Sequence, residues 1–240
     1  MSVLSLLHLC DSLFPIGGFS YSDGLEAAAL VRLKRDATYV GSGFSGTDTA
    51  SSDDLRNWLD VSLDETFARL EGPAVRRAWV FCAAGDWNSL TTLDREVIAL
   101  RPSSTTRRAT RAMGKRLLTT WATLHADPRL DHALAAARDG SLAPALPVAF
   151  GIACCAAGVA RRDALQGYAY TRLASTVSAA MRLMPIGQSE AHVMLARVLE
   201  RVSSAVDSVE TSTAPLHCFT PVMDIAAMTQ QYMESRLFRS

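Results

Sequence analysis

Apolar residues recur along most of this chain every three or four positions, and runs of strict alternation are almost absent. The first spacing stacks side chains on one face of an α-helix, whereas the second marks a strand, so an all-α protein is expected. The clearest stripe follows Arg161, where Leu165, Ala169, Leu173, Val177, Ala180 and Met184 step by three or four. Pro185 and Gly187 should end that helix, since proline has no amide to donate and glycine tolerates left-handed geometry. A second long helix is expected to carry Ala196, Leu199, Val202, Val206 and Val209 on one stripe. The short Pro185-Ile186-Gly187 connection predicts an antiparallel helical hairpin.

Further helices are legible on either side. Asp23 to Lys34 opens on Asp23 and Glu26, a capping-box-like pair. Asp53 to Leu70 is expected to end at Gly72-Pro73, with another helix following to about Ala84. Ser89 to Leu100 and Thr106 to His125 come next, the latter stopped by Asp127-Pro128, and a last helix runs from about Met223 to Arg236. The expectation is one helical bundle of about eight to ten helices over residues 1–240. Tyr39 to Asp53, rich in Gly, Ser, Thr and Asp, predicts an exposed mobile loop, and Thr211 to Pro215 a shorter one.

Composition sharpens this picture. The chain has 240 residues, of which 49% are hydrophobic and 20% charged, which excludes disorder for most of its length. Alanine, the strongest helix former, occurs 37 times. Lys and Arg number 24, as do Asp and Glu, so the net charge is zero. Nucleic acid is a poor partner for such a chain, and weak self-repulsion suits burial of surface in an assembly. Leu142 to Ala160 carries no charged residue, but Pro144, Pro147, Gly151 and Gly158 interrupt it. A helix buried in the bundle core is expected there, not a membrane span. Five cysteines, no CxxC and a start without a basic leader region point to a reducing, cytoplasmic setting.

Candidate chemistry is sparse. The five histidines form no HExxH, and no thiol pair has zinc-site spacing. His217-Cys218 is an adjacent pair of ligand types in a loop. Gly18-Phe19-Ser20-Tyr21-Ser22 approaches the GxSxG elbow but ends in serine and follows a helix-like segment. No glycine-rich phosphate cradle is present, so the chain is not expected to hydrolyse a nucleotide or to be an enzyme. One string does stand out: Phe14-Pro-Ile-Gly-Gly-Phe-Ser-Tyr-Ser-Asp-Gly-Leu-Glu26. Pro15 fixes its own φ, while Gly17 and Gly18 allow a sharp turn into the following helix.

Leu6 to Glu26, LLHLCDSLFPIGGFSYSDGLE, resembles the opening motif of the urease accessory protein UreF family. Further blocks look alike: LPVAFGIACCAAGV from Leu146, YTRLASTVSAAMRLMPIGQSE from Tyr170, Ala112 to Leu117, and the ending Arg236-Leu-Phe-Arg-Ser240. The resemblance implies an all-helical homodimer that assembles with a UreG-type GTPase and a UreD/UreH-type accessory protein to deliver nickel to apo-urease. Nickel is then cargo and GTP belongs to the partner, with no cofactor resident on this chain. Under that reading Ser20, Tyr21, Ser22, Glu26, Arg182 and Gln188 are candidate partner or dimer contacts. Arg236, Leu237 and Phe238 form a tail (236–240) whose exposed apolar residues dock on the UreD-type protein. A helical metallochaperone binding nickel directly, with His217 and Cys218 as weak ligand candidates, is the alternative. Two departures from the family pattern stand out: Gln230-Gln231 where a His-Glu pair is common, and Arg108 where a glutamate is expected.

Overall fold

The computed structural model describes residues 2–16, 22–29, 52–233 and 237–238. Among these residues every regular element is a helix. In chain order they are α1 (Ser2–Cys10), α2 (25–29), α3 (Ser52–Val61), a π-helical segment (Ser62–Glu71), α4 (Gly72–Ala84), α5 (Trp87–Ala99), α6 (Ser104–Leu124) and α7 (Pro128–Asp139). Then follow α8 (Leu146–Ala156), α9 (Arg161–Leu183), α10 (Gln188–Leu199), α11 (Val202–Thr211), α12 (Pro221–Thr229) and a final 3-10 turn (Gln230–Tyr232).

The uncharged stretch becomes the centre of the bundle. Every residue of α8 from Leu146 to Cys155 is buried, against α4 and α6 above all. A helix apolar all round belongs in such a core, and among the described residues no helix is long and apolar enough to cross a membrane. Close approach of α8 to α4 depends on Gly151, where a Cβ would sit 2.6 Å from the Val75 carbonyl oxygen. Entry into α8 is fixed from α5: the buried Asp94 carboxylate accepts the amides of Ala145 at 2.7 Å and Ala143 at 3.2 Å.

The helix after Arg161 and the hairpin at Pro185 form as the spacing predicts. Three expectations need correction. The stripe from Ala196 to Val209 is divided between α10 and α11 at Glu200 and Arg201. There the Arg201 side chain is drawn to Asp60 and Asp64, at 2.5 and 2.6 Å, tying the corner to α3 and the π segment. Gly72-Pro73 does not end a helix, because the chain runs helically from Ser52 to Ala84. Gly72 keeps right-handed angles and donates to the Phe67 carbonyl, while the Arg69 carbonyl, which Pro73 has no amide to meet, accepts the His217 N–H at 3.3 Å. Finally, the last helix stops at Thr229 and tightens into the 3-10 turn. The expected loop at Tyr39 to Asp53 falls outside the described residues except for its last two positions.

Candidate partner-contact site

Ser22 opens the described part of the motif turn. Asp23 and Gly24 follow with φ of +50° and +91°, swinging the chain into α2. Gly24 is required twice over, since a Cβ there would be strained and would lie 2.7 Å from the Ala227 amide nitrogen of α12. Ser22 Oγ accepts the Glu26 amide at 3.4 Å, so the local cap belongs to Ser22 and not to the Asp23–Glu26 pair expected from spacing.

That arrangement turns the Glu26 side chain inward, where it is 1% exposed. Its carboxylate accepts three N–H groups: Gln230 Nε2 at 3.0 Å, the Leu237 amide at 2.5 Å and the Phe238 amide at 3.2 Å. A buried carboxylate needs such donors, because unpaired it would lose its hydration with nothing in return. Gln230, fully buried, also donates to Ser22 Oγ at 3.1 Å. The Arg182 guanidinium carbon stands 4.4 Å from the centre of the Phe238 ring, within cation–π range. Motif, hairpin turn, last helix and tail therefore meet at one place.

Beside it lies an ion network. Asp23 pairs with Arg172 of α9, whose Nε donates to Glu71 at 3.2 Å, and Arg101 donates to the other Glu71 oxygen. Burial works against the Asp23 carboxylate. The charge and hydrogen bond of Arg172, with the charge of Arg101 behind them, outweigh burial and hold its pKa below the ordinary value. Asp23, Glu71, Arg101 and Arg172 line a cavity of about 70 Å³ together with Cys218, Thr220 and Asp224.

α12 is clamped over this site on its inner side. The hydroxyls of Ser103 and Thr105, at the start of α6, donate to the Ala227 carbonyl at 3.2 and 3.3 Å. Its outer side is uncovered: Phe219, Val222, Ile225, Met228 and Tyr232 recur at helical spacing and are exposed, as is Leu237. Single exposed apolar residues are common on protein surfaces, but here six share one side of the molecule.

Of the sequence-derived candidates, the structure brings Ser22, Glu26, Arg182, Leu237 and Phe238 together. The tail divides: Leu237 is 73% exposed, while Phe238 is only 2% exposed and faces inward. Gln188 lies exposed at the start of α10. Ser20, Tyr21 and Arg236 lie outside the described residues. His217 and Cys218, adjacent in sequence, face different places. The exposed His217 ring meets Arg69 at 3.2 Å beside an open groove, and the half-buried Cys218 thiol lines the interior cavity. Among the described residues no three His, Cys, Asp or Glu side chains converge as metal ligands. The sequence offers Asp23 only as a cap, places Arg172 inside the block from Tyr170 without a role, and marks neither Glu71 nor Arg101. Their one signal is a charge set within an apolar stripe, as with Arg172 beside Ala169 and Leu173.

Comparison with known proteins matches residues 49–199 to the UreF family. The chain belongs to that family. Full-length relatives agree. A urease accessory protein UreF of a Polaromonas species is 31% identical over all of this chain and 95% of its own length. The UreF proteins of Cupriavidus metallidurans and Cupriavidus necator are 33% and 34% identical, over 99% of this chain and 97% of theirs. UreF proteins are non-catalytic accessory factors, and this chain is a UreF-type scaffold in urease maturation. Where the sequence resemblance marks a common His-Glu pair, this UreF places Gln230 at the buried node and Gln231 on the surface.

Proposed function

We propose that this UreF protein helps insert nickel into apo-urease by holding a UreD/UreH-type accessory protein and a UreG-type GTPase in one assembly, and that it modulates the GTPase. It acts as a single-domain homodimer in the cytoplasm, with its five thiols free. The observation carrying this reading is the Glu26 node, which fixes the tail and α12 so that their apolar outer face is presented ready-made. A rigid, preformed contact surface lowers the ordering cost of association. Ile225, Tyr232 and Leu237 contact the UreD-type protein, and the motif turn from Phe14 to Glu26 serves the GTPase side. A second exposed apolar face on α1, made of Val3, Leu4 and Leu7, suits contact with another copy. Direct nickel capture by His217 and Cys218 has less support, because the two side chains address different cavities.

Co-expression of the full chain with its UreD- and UreG-type partners tests the proposal. Wild-type chain should co-purify with both and support nickel-dependent urease activation. Ile225→Asp should lose the UreD-type protein while retaining its own fold by circular dichroism. Capture unchanged by Ile225→Asp, Tyr232→Asp and Leu237→Asp together would remove this face from the assembly.

A further inference from the structure

Five cations and no acid stand along the 21 residues of α6: Arg107, Arg108, Arg111, Lys115 and Arg116. The rest of the helix fixes how they face. Ala109, Met113, Leu117 and Trp121 are buried in the bundle. The Thr110 hydroxyl accepts the Leu146 amide of α8 at 3.0 Å, and a Cβ on Gly114 would collide with the Pro144 carbonyl. This packing leaves Arg108, Arg111, Ala112, Lys115, Arg116 and Thr119 exposed, a strip along one helix face. Arg107 is set apart, donating to the Arg101 and Pro102 carbonyls at 2.6 and 2.7 Å.

Surface arginines elsewhere meet carboxylates of the same chain: Arg56, Arg69, Arg161, Arg162 and Arg201 each do. Among the described residues Arg108, Arg111, Lys115 and Arg116 have no such partner. Asp94 of α5 feels the Arg111 and Arg95 charges, but both its oxygens are taken by the Ala143 and Ala145 amides. The cations also oppose one another. Arg107, Arg111 and Lys115 are spaced by four and Arg108 and Arg111 by three, and like charges at those spacings destabilise a helix. A chain of zero net charge keeps this crowding on one face, and a set of opposing carboxylates from outside would relieve it.

We propose that the outer face of α6 is an electrostatic docking site for an acidic helix of a partner protein. From Arg108 to Arg116 the helix rises about 12 Å, so carboxylates three or four positions apart on a second helix meet the strip in register. Ala112 and Thr119 keep its middle low, letting the second backbone approach while the longer cations reach around it. Three of the four cations are arginine, whose planar fork matches a carboxylate. Two other anionic partners fit less well. A membrane-surface helix sets large apolar residues beside its cations, whereas Met113, Leu117 and Leu118 of α6 are buried. Nucleic acid is held through a basic excess or stacking aromatics, but the net charge here is zero and Trp121, the one aromatic of α6, is buried.

The test uses the folded full-length chain and a labelled, alanine-based helical peptide whose glutamates recur every three or four positions on one face. Fluorescence anisotropy should show binding at low salt that weakens about tenfold or more as salt shortens the reach of exposed charges. A peptide of the same composition with its glutamates spread around the helix should bind several-fold more weakly. The double variant Arg108→Glu/Lys115→Glu should lose the ordered peptide while its urea midpoint holds or rises, because each new carboxylate neighbours Arg111. A photo-crosslinker on the peptide should mark residues 108–119. No binding by wild type, equal binding of the two peptides, or equal binding by the variant would each overturn the proposal. So would a lower urea midpoint for the variant, which would assign these cations to the fold. Tighter binding of duplex DNA or of phosphatidylglycerol vesicles than of the ordered peptide would overturn it in favour of those partners. The inference is independent of the urease reading, since every readout concerns the isolated chain and its probe.

Discussion

The Glu26 carboxylate accepts the backbone amide of Phe238 from 212 positions further along the chain, at 3.2 Å. A side chain in the opening motif thereby holds Leu237 and Phe238 against the bundle. Glu26→Gln keeps the shape but removes the charge and turns an amide group toward one or more of the three donors. The expected loss is about 1–3 kcal/mol, as for a buried charge-assisted hydrogen bond left unmade. Urea denaturation should report the loss, and carboxypeptidase should trim the variant's tail faster than the wild type's. Equal trimming would show that Glu26 does not hold the tail.

Arg172 bridges Asp23 and Glu71. Arg172→Met would leave Asp23 without its partner and Glu71 with Arg101 alone. Asp23 and Arg172 are partly exposed while Glu71 is buried, so the loss should fall below that of a fully buried pair, about 3–5 kcal/mol, but still lower the urea midpoint clearly. Acid should act on the same pair. Asp23 has a folded pKa below its unfolded value, so its contribution is complete above about pH 4 and disappears as pH falls through the lower, folded pKa. The variant should therefore lose less stability than wild type on acidification, and parallel losses would contradict this role for Asp23.

Asp94 gives the opposite sign. Burial pushes its carboxyl up to about 6, even though the Ala145 and Ala143 amides, and the more distant charges of Arg111 and Arg95, pull the other way. The folded chain then binds that proton more tightly than the unfolded chain between about pH 4 and 6. Its contribution to stability falls as pH rises through that window and is level above it. Asp94→Asn should abolish this part of the pH dependence, measured as urea midpoints at half-unit steps. A slope unchanged from wild type would show that Asp94 titrates elsewhere.

Gly24→Ala tests the contact between motif and last helix. The added methyl carbon would meet the Ala227 backbone at 2.7 Å in a left-handed conformation. Strain and overpacking together should cost about 1–3 kcal/mol. Amide exchange should quicken in α12 but not in α8. Uniform acceleration would mean that the effect is global and not a release of α12.

Much of the fold was open to reading because amphipathic helices announce their length. The Leu165 to Met184 stripe gave α9 nearly residue for residue. Where the reading failed, the cause was tertiary. The Ala196 to Val209 spacing continues through the α10–α11 corner, so no local signal marks the break, beside which Arg201 reaches Asp60 and Asp64. Gly72-Pro73 carries the composition of a helix end, yet the π register and an amide from His217 let the chain continue. At the site, Ser22 and Glu26 lay inside a conspicuous motif. Gln230 drew notice only as a departure, although it is the residue joining them. Arg172 in α9, Glu71 in the π segment and Arg101 in the α5–α6 connection are far apart in sequence, and only folding brings their charges together.

The central claim is that this chain works through the surface that the Glu26 node presents. Its most direct test is quantitative co-purification of the UreD-type partner with wild-type chain, Ile225→Asp and Glu26→Gln. Wild type should retain the partner, Ile225→Asp should lose it while still folded, and Glu26→Gln should weaken it by releasing the tail. Equal retention by all three folded chains, or no retention by wild type, would contradict the claim.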